Sequence, residues 1–305
     1  MKKSYHLCFT SHDEVMFRNE EDHGMFVNLM ALRGFATGSE WLMDAEMSTH
    51  AHLNAFTDCP VELASTLRMS YTKWFNYRHS RKGRMGQKGC YILEVNGLYH
   101  QMALENYVAR NGLHHGASPT AFGYQFCSTR ELFAGELGYA VEPADNFSRA
   151  EIANVLPRHC EFPDHWEMNE SGVFLRRSFM EIKRAEHCYG TPRNYLFQMN
   201  RLTGEDWIND QMKDNTGPPV TLGLIENADS STVEELLRNE TGRYFRPDRL
   251  QDLDVCRLID NEFLKGVATV YQISDSQKRR IYRKLLYDFR LPVNQICRCL
   301  VCDPM

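Results

Sequence analysis

No stretch of the chain reaches the roughly 18 to 20 apolar residues needed to span a bilayer. The first residues, Met1-Lys2-Lys3-Ser4-Tyr5-His6, run into Asp13-Glu14 without the apolar core of a secretory leader. Both absences predict a cytoplasmic protein with no membrane partner. Of ten cysteines, only Cys297-x-Cys299-x-x-Cys302 cluster, and no second Cys-x-x-Cys is present to complete a structural zinc site. All ten read as reduced thiols, the last three as small apolar side chains packing a terminal helix. Internal repeats and low-complexity tracts are missing too.

Acidic residues are locally missing, and that absence is the more informative one. The net charge of -5 speaks against a nucleic-acid partner. Yet Leu63 to Leu93 carries Arg68, Lys73, Arg78, Arg81, Lys82, Arg84 and Lys88 with no Asp or Glu. Ser276 to Leu300 carries Lys278, Arg279, Arg280, Arg283, Lys284, Arg290 and Arg298 against the single acid Asp288. Two basic segments in an acidic chain are candidate phosphate-binding surfaces, with a pair of solvated helix faces as the rival account.

The 305 residues exceed one average domain. Residues 4–10 read as a strand and 21–34 as a helix stopped by Gly34. Trp41 to Met47 and His50 to Thr57 read as strands joined by a tight turn. Pro60 to His79 is an amphipathic helix with Leu63, Leu67, Tyr71, Trp74 and Phe75 on one stripe. Cys90 to Val95 is a further strand, and Leu98 to Asn111 a helix ended by a left-handed Gly112. The order β-α-β-β-α-β-α predicts an α+β fold: a ferredoxin-like antiparallel sheet with helices on one face. Beyond it lie helical pieces at 148–156, 172–187 and 203–213, then an all-helical C-terminal third. There Ser274 to Phe289 and Asn294 to Leu300, separated by Arg290-Leu-Pro-Val293, form a helix-turn-helix candidate. The expected domains are 1–130, 131–225 and 226–305.

Alternation along the strand Met47 to Phe56 puts His50, His52 and Asn54 on one face, with the two histidine Cβ atoms ~7 Å apart. Ala51, Leu53 and Ala55 point to the opposite, helix-covered face. Two imidazoles at that separation suit one cation, although exposed or satisfied strand histidines are the commoner occurrence. On the helix Leu98 to Asn111, Tyr107 and Asn111 are i and i+4 neighbours, a hydroxyl beside an amide oxygen. A tyrosine packed at a helix end is the rival account there.

Together these residues resemble the single-tyrosine HUH transposases, most closely the REP-associated tyrosine transposases of bacteria. The Met-x-x-His-x-His-Leu strand is matched by Met47-Ser-Thr-His50-Ala-His52-Leu53, and Tyr71 to Tyr77 is similar to the segment that follows it. Gly83-Arg-Met-Gly-Gln87 is a variant of the Gly-x-x-x-Gln stretch. Tyr107-Val-Ala-Arg-Asn111 matches the nucleophile motif. Ser118-Pro119, Phe122, Tyr124 and Cys127-Ser128 echo the later segment. The likeness covers residues 4–130. Gly112-Leu-His-His-Gly116 departs from the family's proline and Arg-Ala-Gly run, Ala51 replaces a bulky residue, and Lys3-Ser4-Tyr5 replaces the Gly-Thr signature.

The resemblance implies Mg²⁺ or Mn²⁺ held by His50 and His52 and completed by Asn111. It also implies attack by Tyr107 on single-stranded or hairpin DNA, giving a 5′-phosphotyrosine and strand transfer. No organic cofactor is needed. The acid-free run would track the DNA backbone, with Tyr71 and Tyr77 offered to bases and Trp74 and Phe75 assigned to the core. The alternative is a domesticated DNA-binding protein without chemistry. A zinc enzyme built on His50 and His52 lacks an evident third ligand and base. The long C-terminal extension favours a monomer.

Overall fold

A computed structural model describes residues 1–11, 14–86, 89–201 and 205–305. Strands β1 (Lys3–Thr10), β2 (Glu40–Met47), β3 (His50–Thr57) and β4 (Tyr91–Val95) form one antiparallel sheet in the order β2-β3-β1-β4. Helix α1 (Glu20–Ala36) connects β1 to β2, and α2 (Pro60–Arg78) connects β3 to β4. The fold is therefore α+β, and the first six elements lie where the alternation and helical spacing put them.

Local chemistry explains the boundaries. The Asn19 side chain accepts from the Asp22 N–H and caps α1, with Glu20, Glu21 and Asp22 in its first turn. Pro60 opens α2, where its missing N–H costs nothing. The α2 stripe of Leu63, Ala64, Leu67, Tyr71 and Phe75 is buried. With Phe26 and Leu29 of α1 it packs on Leu7, Phe9, Ala51, Leu53 and Ala55 of the sheet. Burying each such Leu or Phe contributes about 1.5–3 kcal/mol.

Helices cover both faces of the sheet, which corrects the expectation of one. The second face presents Met43, Ala45 and Val95, and these apolar residues need a cover. Helix α3 (Leu98–Ala109) provides it with Met102, Leu104, Tyr107 and Val108. The same cluster continues through Leu132, Phe133, Tyr189, Tyr195, Trp207, Leu222 and Ile225, so the middle of the chain packs directly on α3. A separate C-terminal core gathers Val255, Ile259, Ile281, Leu285, Ile296 and Leu300 around helices Asp275–Tyr287 and Val293–Leu300. It is fastened to the sheet domain by Val15 and by Arg18, whose guanidinium donates to the Cys299 carbonyl (2.8 Å) and the Asp260 carboxylate (3.0 Å).

Two further expectations change. The 172–187 helix is broken into Arg176–Phe179 and Ile182–His187, because Met180 and Glu181 leave the helix to bond the β2 edge at Trp41. The start of the expected 203–213 helix lies outside the described residues; an α-helix spans Glu205–Gln211 and a 3₁₀ turn Met212–Asp214. All ten cysteines are free thiols.

Candidate active site

The site lies on the second face of the sheet, at the β3 end nearest β2. His50 and His52 alternate with Ala51 and so share that face, opposite Thr10 and Cys8 of β1 and Met47 and Ala45 of β2. Glu226, at the C-terminal end of the short helix Leu222–Glu226, comes down over them. One ligand atom from each of His50, His52 and Glu226 lies within 4.8 Å of the others, so the three can hold a metal ion. The Glu226 carboxylate stands 3.2 Å from His52 Nε2 and 3.3 Å from His115 Nε2.

Two neutral imidazoles and a carboxylate suit a divalent cation. Burial drives His50 down to about 4 and His52 to about 3, which keeps both rings neutral and able to ligate at neutral pH. Burial raises Glu226, with His50 opposing the rise. His6 fixes the His52 ring: its Nε2 and His52 Nδ1 share a 2.9 Å hydrogen bond, which turns His52 Nε2 toward Glu226. Such a partner holds a ligand's tautomer and orientation.

Asn111 is fully buried in α4 (Asn111–His114). Its carboxamide reaches the His50 ring and favours the protonated form there. Yet neither Nδ2 nor Oδ1 has a partner of hydrogen-bonding geometry, and His50 Nε2 is equally unpaired. Orphaned buried polar atoms around one point are costly unless something fills it. That fits a cation, with Asn111 an additional oxygen donor.

Tyr107 projects from α3 into the same cluster. Its ring meets the His52 ring edge-on, with centroids 5.2 Å apart, and stacks on His114 at 5.0 Å. It is fully buried and its hydroxyl has no hydrogen-bond partner. Leu222 and Ile225 belong to its apolar cluster, so the helix that supplies Glu226 also closes the site around it. His114 is held by Glu240 at 2.9 Å.

The helix bearing Tyr107 does not end at a left-handed Gly112, as its sequence suggested. It breaks at Arg110, and α4 carries the chain through Gly112; the left-handed residue is Gly116 (φ +64°). Glycine is required at 112 for closeness instead: a Cβ there would lie 2.4 Å from Tyr124 Cβ.

The expected phosphate-binding residues are scattered. Helix α2 packs on the sheet face opposite the histidines, so Arg68, Lys73 and Arg78 lie on the far side from the site. Arg68 is tied to the Met85 carbonyl, Arg78 to Glu21 and Arg81 to Glu14. Lys73, Lys82 and Arg84 are exposed, and Lys88 lies outside the described residues. Tyr71 is buried with its hydroxyl on the Met16 carbonyl (2.7 Å), which removes it from base stacking; Phe75 is buried as expected, and Tyr77 is 89% exposed. On the C-terminal helix Arg279, Arg280 and Arg283 are exposed, while Lys278 donates to the Val301 carbonyl at 2.6 Å.

Sequence reasoning missed His6, His115 and Glu226. His115 lay in plain view, inside the Leu-His-His run read only as a departure from the motif. Nothing near Glu226 in the sequence marks it. It also missed a cleft of 860 Å³ into which the site opens through His50, His115 and Glu226, lined as well by Arg246 and Arg249. The recurrence Arg243-x-x-Arg246-x-x-Arg249, interleaved with Tyr244 and Phe245, was a legible signal for it. Compared with family models, curated proteins and solved structures, the chain matches none.

Proposed function

We propose that the chain is a metal-dependent endonuclease and strand transferase acting on single-stranded DNA, with Tyr107 as its nucleophile. One observation carries the reading. A buried tyrosine hydroxyl without a partner sits against a His50–His52–Glu226 cluster, of which His50 and Glu226 line a cleft. Membership of the single-tyrosine HUH transposases, and a ferredoxin-like description of the core, belong to this proposal. The β1-α1-β2-β3-α2-β4 connection with strand order β2-β3-β1-β4 supports both, being the split βαβ topology.

A divalent ion on His50, His52 and Glu226, with Asn111 beside them, would polarise the scissile phosphate and offset its developing charge. The Tyr107 Oη–phosphorus bond forms as the phosphorus–O3′ bond breaks. The leaving 3′-oxygen takes up a proton, and a 5′-phosphotyrosine results. Attack by another 3′-hydroxyl reverses the step and frees the tyrosine, so the bond energy is conserved. Mn²⁺ or Mg²⁺ suits the mixed nitrogen and oxygen donors.

The complete burial of Tyr107 favours a second reading, a DNA-binding protein that performs no chemistry. One assay separates the two. The full chain is incubated with single-stranded hairpin oligonucleotides and Mn²⁺ or Mg²⁺, and denaturing gels are read for a covalent protein–DNA adduct. A metal-dependent adduct lost in Tyr107→Phe is expected. An adduct that survives Tyr107→Phe removes this nucleophile, and no adduct on any hairpin leaves the binding reading.

A further inference from the structure

The acid-free face of α2 lies across the sheet from the metal cluster, and another basic surface shares the cleft with it. The cleft is lined by His50, His115 and Glu226 and also by the irregular segment between helices Ser230–Asn239 and Asp252–Arg257. Four arginines line it. Arg298 is spent on Asp252, at 2.6 and 2.8 Å, and Arg257 on Glu20 and Asp254. Arg246 and Arg249 are exposed and form no ion pair among the described residues. Of the four acids that line the cleft, Glu226 belongs to the metal cluster, Asp252 is neutralised by Arg298 and Asp254 caps its helix at the Gln251 N–H, which leaves Glu235 without an ion pair among the described residues. Tyr244, 54% exposed, lines the cleft on the same segment, with no aromatic neighbour among the described residues.

We infer that this segment is the substrate wall of the site, which rests on the reading of the chain as a single-stranded DNA enzyme. Arg246 and Arg249 hold consecutive backbone phosphates, and Tyr244 stacks an unpaired base, so that the strand runs across the mouth of the metal cluster. Free guanidiniums and an exposed ring in one groove are the combination that recognises single strands: the cations follow the backbone, and any base offers a face to the ring. Duplex DNA hides its bases from Tyr244 and is bound more weakly. The C-terminal region thereby completes the active site and is not a separate reading head, and the acid-free face of α2 takes no part in binding.

The test is fluorescence anisotropy of a labelled mixed-sequence 20-nucleotide single strand and of its duplex. It uses the full chain carrying Tyr107→Phe, so that affinity is read without cleavage. Arg246→Glu/Arg249→Glu is expected to weaken single-strand binding at least about tenfold. It should also lower the slope of log affinity against log salt by about 1.4, some 0.7 for each single-strand phosphate that is no longer neutralised. Arg246→Lys/Arg249→Lys should keep most of the affinity, and Tyr244→Ala should erase most of the preference for single strands over duplex. Thermal melts confirm that each variant is folded, since none of the three side chains enters a core.

An unchanged affinity and slope in the double Glu variant overturn the inference. So does a larger loss on reversing Arg279, Arg280 and Arg283, or Lys73, Lys82 and Arg84, or an absence of single-strand binding by the parent chain. The covalent-adduct assay on the unsubstituted protein reports separately on the catalytic reading, so either idea can fail without the other.

Discussion

Glu105 offers the sharpest energetic test of how α3 is held against the sheet. It is fully buried, its Oε1 accepts from Gln101 Nε2 at 2.7 Å, and its Oε2 has no partner. Burial pushes its carboxyl up to about 8, so at pH 7 the folded chain carries a proton there that the unfolded chain has released. The sign follows from linkage. Between about 4.5 and 8 the native state binds one more proton than the unfolded state, so this group lowers stability as pH rises through that window. At pH 7 the loss relative to pH 4 is about 3 kcal/mol, from 2.5 pH units at 1.36 kcal/mol each, slightly reduced by partial ionisation of the folded form. Glu105→Gln has the shape of the protonated acid and cannot ionise. It should therefore raise stability at pH 7 by about 3 kcal/mol, near 5 °C in melting temperature for a chain of this size. Urea unfolding of both proteins from pH 5 to 8 measures it: the curves should converge at the acid end and separate steadily above it. Parallel curves, or a variant less stable throughout, would refute the protonated, desolvated carboxyl on which the reasoning depends.

Three other outcomes follow from the packing. Gly112→Ala should cost about 1–3 kcal/mol by calorimetry, because the new methyl meets Tyr124 at Cβ and Cγ and strains that residue's 2.6 Å bond to the Glu46 carbonyl. Arg176→Met should cost about 3–5 kcal/mol in urea at pH 7, since it strands the fully buried Asp44 carboxylate together with the Glu46 carboxyl, which burial already pushes toward its protonated form. Glu226→Gln should weaken Mn²⁺ binding, followed by titration calorimetry at pH 7.5, by at least about tenfold; unchanged affinity would place the ion elsewhere.

Much of the sheet was legible because each segment stated its role locally. Alternation gave β3 and the shared face of His50 and His52, and a three-four spacing gave α2. The single-faced sheet was misjudged because Met43 and Ala45 sit in strands read only as strands, with no pattern to say that α3 would cover them. The site was half legible for a related reason. His50 and His52 are two apart on one strand, and Tyr107 and Asn111 four apart at the end of one helical run, so within each pair the spacing carries geometry. Glu226 pairs with His52 across 174 residues, and only tertiary packing makes that contact. Charge runs are visible in a sequence and their pairing is not: Arg78 and Arg81 are paired with Glu21 and Glu14, whereas the sparser Arg246 and Arg249 form no ion pair among the described residues.

Gly112 was the residue most at odds with the family resemblance, standing where proline is usual. In the structure it has a use that argues for this site rather than against it. Lacking a side chain, it lets the Tyr124 ring close on α4, and Tyr124 reaches across to bond the Glu46 carbonyl on β2. That contact pins α4 to the sheet, and α4 is the segment that sets Asn111 beside His50 and presents His114 and His115 to Glu240 and Glu226. Gly112 and the two histidines then belong to one arrangement. A glycine permits the close approach, the close approach fixes the helical turn, and the turn delivers two imidazoles to carboxylates that come from the far C-terminal half of the chain.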